Sequence, residues 1–540
     1  MCGIVGYAGN IETACGKPLE VCLQGLERLE YRGYDSAGVA LTAPGMDKVV
    51  VRKKAGRLKN LVEDIERKPM PLATVGIGHT RWATNGEPSD VNAHPHTSMD
   101  GKVAIIHNGI IENASQLRLD LQAEGYRFAS ATDTEVAAKL LGKIVDKIIA
   151  DEGKPDLFKA VRRMARMLEG AFTILATDCR QPDIVVGARH DSPLVVGLGE
   201  GENFLGSDVA AFVAYTKRAM EVDQDQAVCV SADKVIVTDF DGNVVENPKT
   251  YTVDWDASAA EKGGWDSFMD KEIHEGPAAV QRTLLGRFDA NGGITLDEVR
   301  IDEHDFKAID KIIVVACGTA SYAGQVAKYA IEHWVRIPVE IELAHEFRYR
   351  DPILTPRTLV VAISQSGETM DTLMALRHAR EQGSKVLAIC NTQGASIPRE
   401  SDAVLYTHAG PEVAVASTKA FVAQITAAYL LGLYLAQVKG AMFRDEIHQV
   451  LDSLKDMPRK IQWVLDTQPK TIQAAAERMV NANSFLFLGR HVGYPVALEG
   501  ALKLKEIAYT FTEGFAAGEL KHGPIALVDA VSYTNLRAHE

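Results

Sequence analysis

Met1-Cys2-Gly3-Ile4-Val5-Gly6 opens the chain, and its reading decides the fold of the first half. Removal of Met1 would make Cys2 the N-terminal residue, carrying both a thiol and a free α-amine. A thiol needs a base to become a nucleophile, and an α-amine titrating at roughly pH 8 can be that base. The competing reading is a small buried cysteine at the start of a strand, because termini are usually unremarkable. Position alone does not decide between them; the residues that follow do.

Outward from Cys2, short apolar runs recur at Thr74–Gly78, Val103–Ile106, Ala171–Leu175, Ile184–Val186 and Leu194–Val196. Turn residues join many of them directly, which predicts antiparallel pairing. Helical patterns fall near Lys17–Glu30 and Asp133–Ile149. Residues 2–240 therefore read as an α+β domain, sheets covered by helices. Residues 241–300 are rich in Asp, Asn, Gly and Lys with weak periodicity and read as a connector.

The pattern changes at Lys311. Continuous apolar strands at Lys311–Ala316, Thr358–Ile363 and Lys385–Ile389 alternate with helices, predicting a doubly wound parallel α/β sheet over residues 301–450. A second copy starts at Ser484–Gly489, with a helix near Pro495–Ala508, and defines an incomplete domain over 475–540. After Ala530 the segment Val531–Glu540 does not continue that pattern, and a C-terminal truncation is expected.

A chain of 540 residues needs more than one core. Its formal net charge of −14 argues against nucleic-acid or anionic-membrane partners. Seven cysteines without C-x-x-C spacing fit a reducing cytoplasm better than disulfides or a structural zinc site. No signal peptide is visible, and the apolar stretch Ala420–Ala436 contains Gln424 and Thr426, as a buried core helix would.

An amide-hydrolysing thiol needs oxyanion donors and a clamp for its substrate. His107-Asn108-Gly109 ends a strand, and a side-chain amide beside a flexible backbone N–H suits an oxyanion hole. Arg81, in His79-Thr80-Arg81-Trp82-Ala83-Thr84, suits a carboxylate, and Trp82 a lid. Asp133 suits an ammonium, against a competing role as helix N-cap. His79, His94, His96 and His107 invite a metal, but His94-Pro95-His96 does not put two rings on one helical face; no metal is expected.

Downstream, Ser364-Gln365-Ser366-Gly367-Glu368-Thr369 follows a strand and opens a helix, a phosphate site needing no lysine. Cys317-Gly318-Thr319 and Val415-Ala416-Ser417-Thr418 supply further turn-borne groups. On a helix Glu499, Lys503 and Glu506 share one face, which serves either as a surface ion-pair ladder or, if buried, as a tuned base. His522, between Lys521 and Gly523-Pro524, is a loop acid/base candidate.

The motifs Cys2–Gly6, Tyr31–Gly38, His79–Thr84, His107–Gly109 and Thr132–Glu135, in that order, resemble the class II glutamine amidotransferase domain. That domain is an N-terminal-nucleophile hydrolase with an αββα sandwich. With the downstream motifs the resemblance, from residue 2 to about 530, is to the isomerising glutamine–fructose-6-phosphate aminotransferase family and its tandem sugar-isomerase domains. It implies glutamine and fructose 6-phosphate as substrates, a homodimer and no cofactor, since the substrate imine itself acidifies the C1 proton. It implies Cys2 as nucleophile, Asn108 and Gly109 as oxyanion hole, and Arg81, Trp82, Thr84 and Asp133 as glutamine contacts. Gly318, Thr319, Ser364, Gln365, Ser366, Thr369, Val415 and Ser417 would hold the sugar phosphate. Glu506 would move the proton between C1 and C2, Lys503 assist, and His522 open the ring from a neighbouring subunit. The family's Schiff-base lysine lies in a tail not found here, so intact glutaminase and impaired synthase activity are expected. Phosphoribosyl pyrophosphate or aspartate as acceptor would need loops that are not seen, and a purely regulatory sugar-phosphate module would not hydrolyse glutamine.

Overall fold

The computed structural model describes residues 2–10, 17–30, 33–82, 86–253, 262–288, 293–296 and 299–528. Expectations resting on Met1, Tyr31, Arg32, Ala83, Thr84, Asn85 and the segment 529–540 lie outside the described residues. The chain divides into two compact units, Met1–Gly263 and Gly264–Glu540.

In the first unit, period-two alternation writes the layers. Along strand Gly3–Gly9, Ile4 and Ala8 point one way and Val5 and Tyr7 the other, and all four are fully buried. Val5 and Tyr7 pack on helix Lys17–Leu29 through Val21, Cys22, Leu26 and Leu29. Ile4 and Ala8 instead meet Ile106, Leu175, Val185 and Val228 of an opposing sheet. On strand Val103–Gly109, Ala104 and Ile106 face that shared core, and Val103 and Ile105 face helices Asp133–Glu152 and Leu157–Ala165. The order is helix, sheet, sheet, helix: an αββα sandwich.

One sheet has eight strands with Gly3–Gly9 at its centre, between Glu202–Gly206 and Val75–Arg81, both antiparallel. The other has six, and pairs Val103–Gly109 with Phe172–Asp178. The register Gly3↔Thr80 and Ile4↔His79 sets Cys2 beside the end of strand Val75–Arg81.

The second unit is built on a five-stranded parallel sheet ordered Val339–Leu343, Lys311–Ala316, Thr358–Ser364, Lys385–Cys390, Ala403–Tyr406. Ile312 and Val314 join one buried cluster, Ile313 and Val315 another, so the central strands are covered on both faces, as their unbroken apolar runs predict. Helix Lys419–Lys439 is long and apolar enough to cross a membrane; here Leu430, Leu431, Leu433 and Leu435 are buried in the protein core. Farther on, strands Ser484–Gly489 and Phe511–Ala516 pair in parallel around helix Gly493–Ala508, a βαβ element.

The segment read as a connector carries structure. Strand Thr250–Thr252 edges the eight-stranded sheet, and helices Phe268–His274 and Gly276–Leu284 belong to the second unit. Ala279 on the latter is buried with Ala409 and Ala423. Helices of seven and nine residues are too short to show a period, so composition dominated the reading.

Ile77 is fully buried between the two sheets of the first unit. Ile77→Ala is expected to destabilise that unit by about 2–5 kcal/mol, read as a lowered denaturant midpoint of its unfolding transition.

Candidate active site

Cys2 meets Trp82 through two backbone contacts: the Trp82 N–H donates to Sγ at 3.1 Å, and the thiol donates to the Trp82 carbonyl at 3.6 Å. Burial pushes the Cys2 thiol up; the Trp82 N–H opposes this by stabilising the thiolate.

Asn108, from the other sheet, donates Nδ2–H to the Cys2 carbonyl at 2.7 Å. Gly109 follows with φ +116°, and a Cβ there would lie 2.0 Å from the Ala171 carbonyl oxygen, so only glycine fits. Asn108 and Gly109 thus end a strand, with Asn108 against Cys2.

Arg81 is buried at the end of its strand, donating Nη2–H to the Gly86 carbonyl at 3.3 Å. Burial lowers the Arg81 pKa, and the neighbouring Asp133 carboxylate opposes this. Asp133 is not the N-cap of its helix. Thr132 is the cap, accepting from the Glu135 N–H, which leaves Asp133 in the first turn. The Asp133 carboxylate accepts from Ile111 N–H at 3.0 Å and Thr134 N–H at 2.9 Å, and lies 3.9 Å from His107 Nδ1. Trp82 is 44% exposed and its ring meets Tyr34 edge-on, consistent with an adjustable cover.

The four histidines are packed together rather than splayed toward a common point. His79 and His94 ring centroids are 4.3 Å apart, and His94 and His96 5.3 Å. His79 Nε2 lies 3.0 Å from the His107 carbonyl and 2.9 Å from Asn108 Oδ1. Burial lowers the His79 pKa to about 3, so the ring is neutral at any physiological pH.

In the second unit a cavity of about 170 Å³ is lined by Thr319, Ser364, Gln365, Ser366, Thr369 and Ser417, with Cys317 and Gln424. Gly367 makes the loop turn at φ +67°, where a Cβ would meet Ala395 and Cys390. Ser364 Oγ lies 3.0 Å from Thr369 Oγ1 and accepts the Gly367 N–H at 3.0 Å. Gly318 opens helix Gly318–Val335 beside the cavity, while Val415 is 59% exposed and is not among its lining residues. Glu412, which no sequence signal marked, accepts from Ser417 Oγ at 2.7 Å and from Thr418 N–H at 2.8 Å, fixing that side.

Beside the cavity, Lys503 Nζ donates to Thr319 Oγ1 at 3.0 Å and pairs with Glu506 at 2.7 Å and Glu499 at 3.5 Å. The helix face predicted from spacing is thus a linked cluster reaching the lining residue Thr319. Glu499 is its buried member, accepting from Thr319 Oγ1 at 3.1 Å, whereas Glu506 lies toward solvent. Burial pushes the Glu499 carboxyl up to about 7, in the range of a working acid/base. His522 sits on an exposed turn after strand Phe511–Ala516 and does not line the cavity.

A cysteine at the head of the central strand, met by Asn108 from the facing sheet of an αββα sandwich, defines an N-terminal-nucleophile glutamine amidotransferase fold, here joined to phosphosugar-type α/β domains. Family models agree: residues 79–214 match the glutamine amidotransferase domain, and 306–434 with 478–532 match the SIS domain. The chain is 63% identical over 530 residues to the isomerizing glutamine–fructose-6-phosphate aminotransferase of Corynebacterium efficiens, covering 98% of this chain and 84% of that one. It is 59% identical to the like-named protein of Streptomyces coelicolor and 54% to that of Mycobacterium tuberculosis, with the same coverage. A solved C-terminal domain of the Francisella tularensis enzyme is 42% identical over 50% of this chain and 75% of that one, with TM-score 0.48. The chain belongs to the isomerizing glutamine–fructose-6-phosphate aminotransferase family.

The raised Glu499 carboxyl binds its proton more tightly folded than unfolded. It therefore adds stability below its usual 4.5, and that contribution is lost as pH rises to about 7. The loss corresponds to about 3 kcal/mol. Glu499→Gln should flatten this fall, read as a smaller difference in denaturant stability of the second unit between about pH 4 and about pH 8.

Proposed function

We propose that this chain hydrolyses glutamine at Cys2 and delivers the ammonia to fructose 6-phosphate, forming glucosamine 6-phosphate and glutamate. The observation that carries the reading is Asn108 Nδ2 aimed at Cys2, 2.7 Å from its carbonyl, with Gly109 next to it. Once Met1 is removed, the α-amine takes the thiol proton, directly or through water. The thiolate attacks the side-chain amide carbon of glutamine, and Asn108 and Gly109 stabilise the oxyanion. Ammonia leaves, and water hydrolyses the thioester to glutamate. Arg81 and Asp133 hold the α-carboxylate and α-ammonium, and Trp82 covers the site.

At the sugar site the Thr319, Ser364, Gln365, Ser366, Thr369 and Ser417 groups hold the phosphate by hydrogen bonds and helix N-terminal N–H groups. Nitrogen enters at C2, and Glu506 carries the proton between C1 and C2, with Lys503 assisting. Glu499 is the buried partner of that cluster. His522 acts on the ring from a second copy in a homodimer. The expected setting is the cytoplasm.

The test incubates the chain with glutamine and fructose 6-phosphate and quantifies both products. Glutamate and glucosamine 6-phosphate formed in step support the full reading. Glutamate alone confines it to hydrolysis. Cys2→Ala should abolish glutamate release; a variant that still makes glutamate from glutamine sinks the assignment.

A further inference from the structure

We infer that His79 is a positioning residue for glutamine hydrolysis: its Nε2–H locks the Asn108 amide in the one orientation that presents a donor to the oxygen of the reacting carbonyl. The inference rests on the oxyanion role given to Asn108 above.

His79 Nε2 lies 3.0 Å from the His107 carbonyl oxygen, which can only accept. Nε2 must therefore carry the hydrogen. The same nitrogen lies 2.9 Å from the side-chain oxygen of Asn108, so that atom too must be an acceptor, and the amide nitrogen is turned the other way. The opposite side of the amide agrees, because it faces the Cys2 carbonyl at 2.7 Å, where a second oxygen would be repelled. A flipped Asn108 would oppose its NH2 to an N–H at one end and its oxygen to a carbonyl at the other. His79 is what makes the flip costly from the buried end.

The location fits the task. His79 stands on the eight-stranded sheet, paired with Ile4 next to the nucleophile, and Asn108 on the six-stranded sheet. The ring is 1% exposed, stacked against His94, and its Nδ1 is buried without a hydrogen-bond partner among the described residues. An unsatisfied buried nitrogen is a standing cost; a ring kept there for packing alone would be better replaced by a hydrocarbon. Only a side chain with a donor at the Nε2 position makes the bridge.

Two substitutions separate the donor from the bulk. Gln at position 79 reaches Nε2 with an N–H; Asn reaches only the Nδ1 position. Expected for His79→Asn is a kcat for glutamate release lowered roughly 10²–10³-fold, with KM for glutamine changed by less than about threefold. His79→Gln should recover at least about tenfold of that loss. Alkylation of Cys2 by iodoacetamide, a displacement that develops no oxyanion, should stay within about twofold of the parent in both variants. A kcat near the parent's in His79→Asn overturns the inference. So does a parallel fall of alkylation and kcat, which assigns His79 to packing, or equal kcat in the two variants. Asn108→Ala is the control: if it leaves glutamate release intact, the oxyanion reading itself fails, whereas a large loss there beside a small one in His79→Asn fails His79 alone. If either His79 variant does not fold, the other against Asn108→Ala in a double-mutant cycle decides, since additive effects overturn the linkage.

Discussion

Cys2 and the Asn108-Gly109 pair proposed to serve it stand on different sheets, so the candidate site exists only while the sandwich holds two independent hydrogen-bonded ladders in register. Cys2 precedes the central strand of the eight-stranded sheet, and Asn108 ends a strand of the six-stranded one. Within each sheet the register is stiff, because a one-residue slip would turn every apolar side chain to the wrong face. Between sheets the apolar contacts, through Ile4, Ile77, Ile106 and Leu175, would by themselves tolerate small slides. Hydrogen bonds across the gap remove that freedom. Asn108 reaches Cys2, and His79 reaches both Asn108 and the His107 carbonyl.

Much of this was legible because it is local. Alternation in Gly3–Gly9, unbroken apolar runs at 311–316 and 358–364, and glycine at 109 each state their structure within a few residues. The clustered motifs also put Cys2, Arg81, Asn108 and Asp133 in one place. What escaped depends on partners far along the chain. His79 was weighed only as a metal ligand because its partners are 28 and 29 residues away and one of them is a backbone carbonyl. Thr132 and Asp133 both qualify as a helix cap by residue type, and only the geometry gives the cap to Thr132 and frees Asp133. Glu412 and Ser417 meet across a turn with no fixed period.

The second unit uses a different physical device for a similar problem. A parallel sheet collects the C-terminal ends of its strands on one edge, so loops distant in sequence converge without cross-sheet bridges. The Ser364–Thr369 loop and Thr319 both follow adjacent strands of that sheet, and Ser417 precedes the long core helix. Among the described residues the cavity is lined by the hydroxyls of Thr319, Ser364, Ser366, Thr369 and Ser417 and by no lysine or arginine.

That choice bears on the carboxyls beside it. Lys503 reaches the lining residue Thr319 and is shared by Glu499 and Glu506. A single ammonium between two carboxyls cannot neutralise both, so burial decides which one keeps its proton. Glu499, enclosed, holds a proton up to about pH 7, while Glu506 takes the shorter contact to Lys503. The asymmetry comes from one helix crossing from interior to solvent over two turns.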